Sequence, residues 1–278
     1  MKIIVSAEST IDLPKDLLNR FGISTIPFTV TMGDDDFLDG EIVNTQIFDF
    51  VDQNKILPKT SAVNQFQYEE YFGNLKKDND AVIHISLSSE LSCTYNNAVE
   101  ASKNFENVFV VDSKTLSTGI ALLAMKASDL IKKGLSVVEI VNIIKETVPK
   151  VQASFILDKL TYLHKGGRCS GVATFSANLL SIKPQIVLSN GKMIVGKKYV
   201  GKLDALTKKY CNDVLSACPK VDKTYAFVTC TTATLTMLES AKNSLKEKGF
   251  KEIFVTYAGA TISSHCGPNT LGILFIKE

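Results

Sequence analysis

Short apolar strands alternating with amphipathic helices predict an α/β protein of two domains. The first is an N-terminal parallel-sheet, three-layer domain over residues 1–150, and the second a C-terminal mixed-sheet α/β domain over residues 151–278. Three observations carry this. Strands and helices recur in alternation before residue 150, which implies a parallel sheet covered by helices. After it, Asn190-Gly191 lies between two apolar runs and marks a hairpin, so antiparallel strands join the sheet. A length of 278 residues is close to two domains at about 150 residues each.

Residues 2–6 form the first strand. Asp12-Leu13-Pro14 reads as a helix start, with Asp as N-cap and Pro in the first turn, and Gly22 closes that helix. An extended run over 23–32 follows, then helices over 45–54 and 64–77, a strand over 81–86, a helix over 94–102, a strand over 108–112 and a helix over 115–133. Ser136 with Glu139 forms a capping box opening a helix that ends near Pro149. The second half holds a strand over 151–157, a Gly-rich turn, a helix over 174–180 and a hairpin of 185–188 with 193–195. Helices over 203–218 and 232–248 then separate strands over 225–229, 252–257 and 271–276, with the helices expected on one face of the sheet.

The composition excludes several classes. Hydrophobic residues at 45% with only Gly 16 and Pro 7 rule out disorder and low complexity. A net charge of +2 provides no field for a polyanion, so no nucleic-acid partner is expected. Six cysteines without a CxxC, and no signal-peptide apolar region, point to the cytoplasm. No GxGxxG, GxxxxGK[ST], GxSxG or HExxH is present, and His84, His164 and His265 have no ligand spacing, so neither a nucleotide cofactor nor a metal site is expected.

Hydroxyl and amide residues instead punctuate strand ends and helix starts: Ser9-Thr10, Thr60 to Asn64, Ser86 to Asn96, and Asp112-Ser113. Any one cluster reads first as a helix cap, but four at the sheet edge where ligands bind in open parallel sheets point to a polar site. Arg168, at the end of a cationic turn over 160–168, either clamps an anion or pairs with an acid. His265, between serines and a Gly-Pro turn, is a titratable donor suited to a carboxylate. Asp34, Asp35, Asp36, Asp39 and Glu41 lack calcium-loop spacing and read as a solvated turn. A Ser-His hydrolase using Ser92 or Ser61 with His265 is the rival reading, although no orienting acid or oxyanion hole is identifiable.

Taken in order, these motifs resemble the DegV family of bacterial fatty-acid-binding proteins, which includes the binding subunits of fatty acid kinases. The carrying segments are Glu8 to Pro14, Lys59-Thr60-Ser61, Ser88 to Asn96, Asp112-Ser113, Leu160 to Ser170, Ile182-Lys183-Pro184 and His265-Cys266-Gly267-Pro268. The resemblance implies two α/β domains with a long-chain fatty acid buried between them, and no catalytic residues. It implies a carboxylate held by Thr60, Ser61, Ser92 and His265, with Cys93, Asn96 and Arg168 in support. It further implies a separate ATP-dependent, dihydroxyacetone-kinase-like fatty acid kinase as partner, with transient membrane contact for lipid exchange. The sequence has Glu8 where the family usually has Asp, Cys93 and Asn269 where it has Gly, and Val200 at the position of an Arg thought to help dock the kinase. Hydrocarbon burial at roughly 0.8 kcal/mol per methylene would supply affinity, and the hydroxyl and imidazole donors specificity.

Overall fold

A computed structural model of the chain describes residues 1–169 and 182–278. Strand β1 (Ile3–Glu8) ends on a buried acid, and a 3-10 turn (Ser9–Ile11) leads towards helix α1 (Lys15–Phe21), which Gly22 closes in the left-handed conformation. Asp12 is not its N-cap. That position falls to Pro14, while Asp12 turns to φ 55° and gives its carboxylate to groups far along the chain.

The extended run over 23–32 is two strands in two sheets, β2 (Ile23–Ile26) and β3 (Thr29–Met32). Pro27 lies between them and has no N–H for a ladder. After β4 (Asp35–Leu38), α2 (Asn44–Asn54) and β5 (Lys59–Ser61), the order β4-β3-β5 makes a small antiparallel sheet absent from the sequence reading. Strands of three or four residues are too short to show a period of two. The acidic turn is only partly solvated: Asp34, Asp35, Asp36 and Glu41 are exposed, but Asp39 is buried.

The first half continues with α3 (Gln65–Asp78), β6 (Ala81–Ser86), α4 (Thr94–Ser102), β7 (Val108–Asp112), α5 (Thr118–Lys132) and α6 (Val137–Thr147). Its principal sheet, β2-β1-β6-β7, is parallel throughout. The capping box forms at α6, where Ser136 Oγ accepts from Glu139 N and the Glu139 carboxylate accepts from Ser136 N at 2.9 Å.

From Val151 the pattern becomes mixed. The elements are β8 (Val151–Ile156), α7 (Thr161–Gly166), β9 (Ile182–Ser189), β10 (Lys192–Val200), α8 (Leu203–Ala217), β11 (Val221–Cys230), α9 (Leu235–Lys248), β12 (Glu252–Tyr257), α10 (Ala260–Cys266) and β13 (Leu271–Lys277). The sheet order is β10-β9-β8-β13-β11-β12, with β11 and β12 parallel and the other pairs antiparallel. Asn190 and Gly191 both have positive φ, 48° and 84°, as a two-residue type I′ hairpin requires. The cationic segment read as a turn is largely helical, as α7, and the helix expected over 174–180 lies outside the described residues.

One helix joins the two principal sheets. α5 packs on β1 and β6 of the parallel sheet and on β8, β11 and β13 of the mixed one. The mixed sheet is therefore covered on both faces, by α8 and α9 on one side and by α5 on the other, rather than on one face as expected. α3 and α4 cover the outer face of the parallel sheet. Among the described residues no helix is long and apolar enough to cross a membrane.

Candidate functional site

The carboxyl ends of β1 and β6 point towards α10, and a cavity of about 220 Å³ lies there. Its polar wall comes from Thr60, Ser92, Cys93, Arg168, Thr261 and His265, and its apolar wall includes Leu91, Leu116 and Ile262. The polar residues come from four pieces of chain. β5 pairs with β3 and delivers Thr60 opposite Val30, the loop after β6 delivers Ser92 and Cys93, the chain after α7 delivers Arg168, and α10 delivers Thr261 and His265.

Thr60 Oγ1 and His265 Nε2 meet at 2.8 Å. Burial, with the positive charge of Arg168 adding, pushes the His265 pKa down to about 4, so the imidazole is neutral at pH 7 with one donor and one acceptor nitrogen. Gly166 makes room for this ring, because a Cβ there would lie 2.7 Å from His265 Nδ1. Ser92 Oγ accepts from Thr94 N at 3.2 Å and so helps start α4, while its own proton meets no acceptor among the described residues. Arg168 Nη1 donates to Gly166 O at 2.6 Å, and no acid among the described residues pairs with it. Ser61 and Asn96 are exposed and form no part of the wall. The structure thus brings Thr60, Ser92, Cys93, Arg168 and His265 around one space, and leaves the other two outside it.

A smaller cavity of about 30 Å³ continues inward, sharing Leu116, Ile262 and Cys266 with the first. Beyond these its wall includes Ala153, Phe155 and Leu274 of the mixed sheet, with Ser117, Thr229, Thr231 and Thr270 among the apolar residues, and it holds no charged side chain. Hydrophobic periodicity marks these residues as core and gives no sign that they line a space.

Two buried acid clusters support the walls. Glu8 Oε2 accepts from Leu87 N at 2.9 Å, and Oε1 accepts from Tyr68 Oη at 2.6 Å and Ser86 Oγ at 2.7 Å, with His84 Nε2 at 3.2 Å. Burial alone would raise its pKa, but the charge and hydrogen bond of His84, with the bonds from Tyr68 and Ser86, outweigh burial and bring it to about 2. Asp12 and Asp39 hold the first residues of α10: Asp12 Oδ1 accepts from Gly259 N at 2.8 Å and Asp39 Oδ1 from Ala260 N at 2.7 Å. Asp12 also accepts from Ser117 Oγ, and Asp39 from Ser9 Oγ. The sequence shows these acids but not their burial, which depends on partners 60 to 79 residues away for Glu8 and over 200 for Asp12 and Asp39.

The family model described as "Uncharacterised protein, DegV family COG1307" matches residues 2–278. The chain belongs to the DegV family. A fatty acid-binding protein of Thermotoga maritima is 29% identical to it, over 98% of this chain and 96% of that protein. Among solved structures, a DegV family protein from Thermus thermophilus described by its fatty acid binding superposes with a TM-score of 0.91 at 26% identity, over all of both chains. DegV of Bacillus subtilis, described as a fatty acid binding protein, gives 0.86 at 27%, again over all of both chains. The DegV fold thus accounts for the parallel and mixed sheets together. Asn269 takes φ 56°, a left-handed conformation that glycine adopts freely and asparagine tolerates, while Val200 is exposed at the end of β10.

Proposed function

We propose that this chain binds a long-chain fatty acid, with its carboxylate at Thr60, Ser92 and His265 and its tail running inward past Leu116, Ile262 and Cys266. The observation that carries the reading is that a cavity with a hydroxyl and imidazole cluster adjoins a second, mainly apolar one, the two sharing Leu116, Ile262 and Cys266. A carboxylate taken from water needs several hydrogen bonds, and the neutral His265, Thr60 and Ser92, with the Arg168 guanidinium in the same wall, offer donors there. The descriptions of the Thermotoga, Thermus and Bacillus relatives support the same ligand class. Ser61 and Asn96, which the family resemblance adds to the head-group set, have no support from the geometry.

The chain acts as a carrier without turnover, presenting the carboxylate to a separate fatty acid kinase and exchanging lipid at a membrane surface in the cytoplasm. The support for the kinase and the membrane is the family resemblance. The division into domains at residue 150, with the ligand between them, is supported by the change from parallel to mixed pairing at Val151. Against hydrolysis, His265 faces the Thr60 hydroxyl, and Ser92 Oγ accepts from a backbone N–H. Native mass spectrometry of freshly purified protein, followed by denaturing extraction, tests the reading. The expected result is one co-purified fatty acid per chain and no ester turnover. Empty protein with ester hydrolysis lost in Ser92→Ala and His265→Ala would overturn it.

A further inference from the structure

The hairpin of β9 and β10 parts from the sheet that carries it. The β8–β9 ladder ends at Val187, opposite Ser154, although β8 itself runs back to Val151, while the β9–β10 ladder goes on to Ser189 and Lys192. The last residues before and after Asn190-Gly191 therefore form a two-stranded arm, and Cys169 forms an isolated bridge with Met193 on it. Such a ribbon is at best marginally stable on its own in water. Here the other half of the chain holds its tip. Ser88 Oγ donates to Gly191 O at 2.9 Å, and Lys192 Nζ lies 3.4 Å from Glu90 Oε2. Gly191, at φ 84°, fits closely: a Cβ there would lie 2.6 Å from Ser88 Oγ and 2.8 Å from Lys114 Cδ. Lys114 pairs with Asp112 at 3.0 Å and with Glu90 at 3.6 Å, so the seat under the tip is itself tied down.

That seat belongs to the loop after β6, which supplies Leu87, Leu91, Ser92 and Cys93 to the wall of the 220 Å³ cavity. Met193, two residues beyond Gly191 on the arm, stands in the same wall. The contact of Gly191 with Ser88 thus joins two pieces of wall, one from each half of the chain. Its polar bonds are one hydrogen bond and one ion pair, the latter between side chains 64% and 36% exposed, and each contributes little. At the base of the arm a register shift between Val195 and Lys198 marks a bulge, where a strand bends. A weakly held tip on a bent base has the low local stability from which moving elements are drawn.

We infer that the β9–β10 tip is a strap over the cavity, closed on the Ser88–Glu90 loop and released when ligand enters or leaves. The inference takes its acyl ligand from the fatty-acid reading above, while the opening itself does not depend on which ligand is admitted.

Cys266 reports the opening without any ligand. It lines the cavity, is 5% exposed, and burial pushes its thiol up to about 12, so it is inert while the cavity is closed. Mass-mapped iodoacetamide labelling of the full chain compares the parent with two variants. The double variant Ser88→Ala, Lys192→Glu removes the hydrogen bond and sets two acids against each other; Gly191→Ala adds a methyl that lifts the tip from its seat. Both should label at Cys266 about 5- to 30-fold faster than the parent. Cys211, buried on α8 in the other core cluster, should label as in the parent, and so should Cys266 in Lys202→Glu, which makes the same charge change outside the strap. In delipidated protein, palmitate should associate and dissociate faster by a common factor, with Kd nearly unchanged. Unchanged Cys266 labelling in the variants would overturn the strap. An equal acceleration at Cys211 would do so too, as general loosening, and so would faster dissociation with Kd weakened in proportion, which marks the tip as plain wall. Failure of the parent to bind palmitate would sink the fatty-acid reading, and the strap would still stand or fall on Cys266.

Discussion

The carboxyl of Asp12 is held mainly in its uncharged form at neutral pH. Burial raises its pKa to about 8 and the negative charge of Asp39 adds to this, against hydrogen bonds from Ser117 and the Gly259 N–H that pull it down. The unfolded carboxyl titrates near 3.8, so the folded chain keeps a proton that the unfolded chain releases. The stability from Asp12 is fully present below pH 3.8 and is lost as pH rises towards 8. Asn at this position retains an acceptor for Gly259 N–H and cannot ionise. Between about pH 6 and about pH 8, Asp12→Asn should therefore gain about 2 kcal/mol relative to the parent in urea unfolding. A constant difference across that window would show that the acid is not held neutral. Glu8 acts in the opposite sense: its pKa of about 2 lies below the ordinary 4.5, so its contribution is present above 4.5 and fades as pH falls towards 2. His265 also weakens the fold on acidification, since below about 6.5 the unfolded ring takes up a proton that the folded ring resists until about 4.

Helix α5 is the element on which both sheets depend. Ile120, Leu122, Leu123 and Met125 are all buried, so the helix is apolar around most of its circumference, as a helix between two sheets must be. Ile120→Ala should cost about 2–5 kcal/mol. Hydrogen exchange should then show β6 and β13 losing protection together, and loss confined to one sheet would mean that α5 does not couple them. The apolar run at 120–125 was legible in the sequence, but its second sheet was not, because periodicity shows that a face is buried and not against what. The same limit explains the site. Thr60 on a three-residue strand, Ser92 before α4, Arg168 after α7 and His265 near the end of α10 stand at or beside breaks between elements, where polar residues are conspicuous. The cavity-lining Leu116 and Ile262 are indistinguishable in sequence from ordinary core residues. Ser61 follows Thr60 on β5, and alternation along a strand turns its side chain to the other face. Asn96 lies on the exposed side of α4.

At the scale of the whole molecule, the polar wall of the larger cavity is assembled from both halves of the chain. Thr60 comes from the first half and His265 from the second, and their 2.8 Å contact exists only when both halves are folded against each other. A ligand bridging them stabilises the native state alone and adds RT ln(1 + [L]/Kd) to its stability, about 2.7 kcal/mol at a free concentration one hundred times Kd. For a chain of this size that corresponds to a rise of several degrees in melting temperature. The most direct measurement is the melting of delipidated protein titrated with palmitate below its aggregation limit, alongside His265→Ala. The expected result is a saturable rise at one fatty acid per chain in the parent, with a markedly weaker response in the variant. A melting curve that palmitate leaves unchanged in the parent would contradict fatty-acid binding at this site.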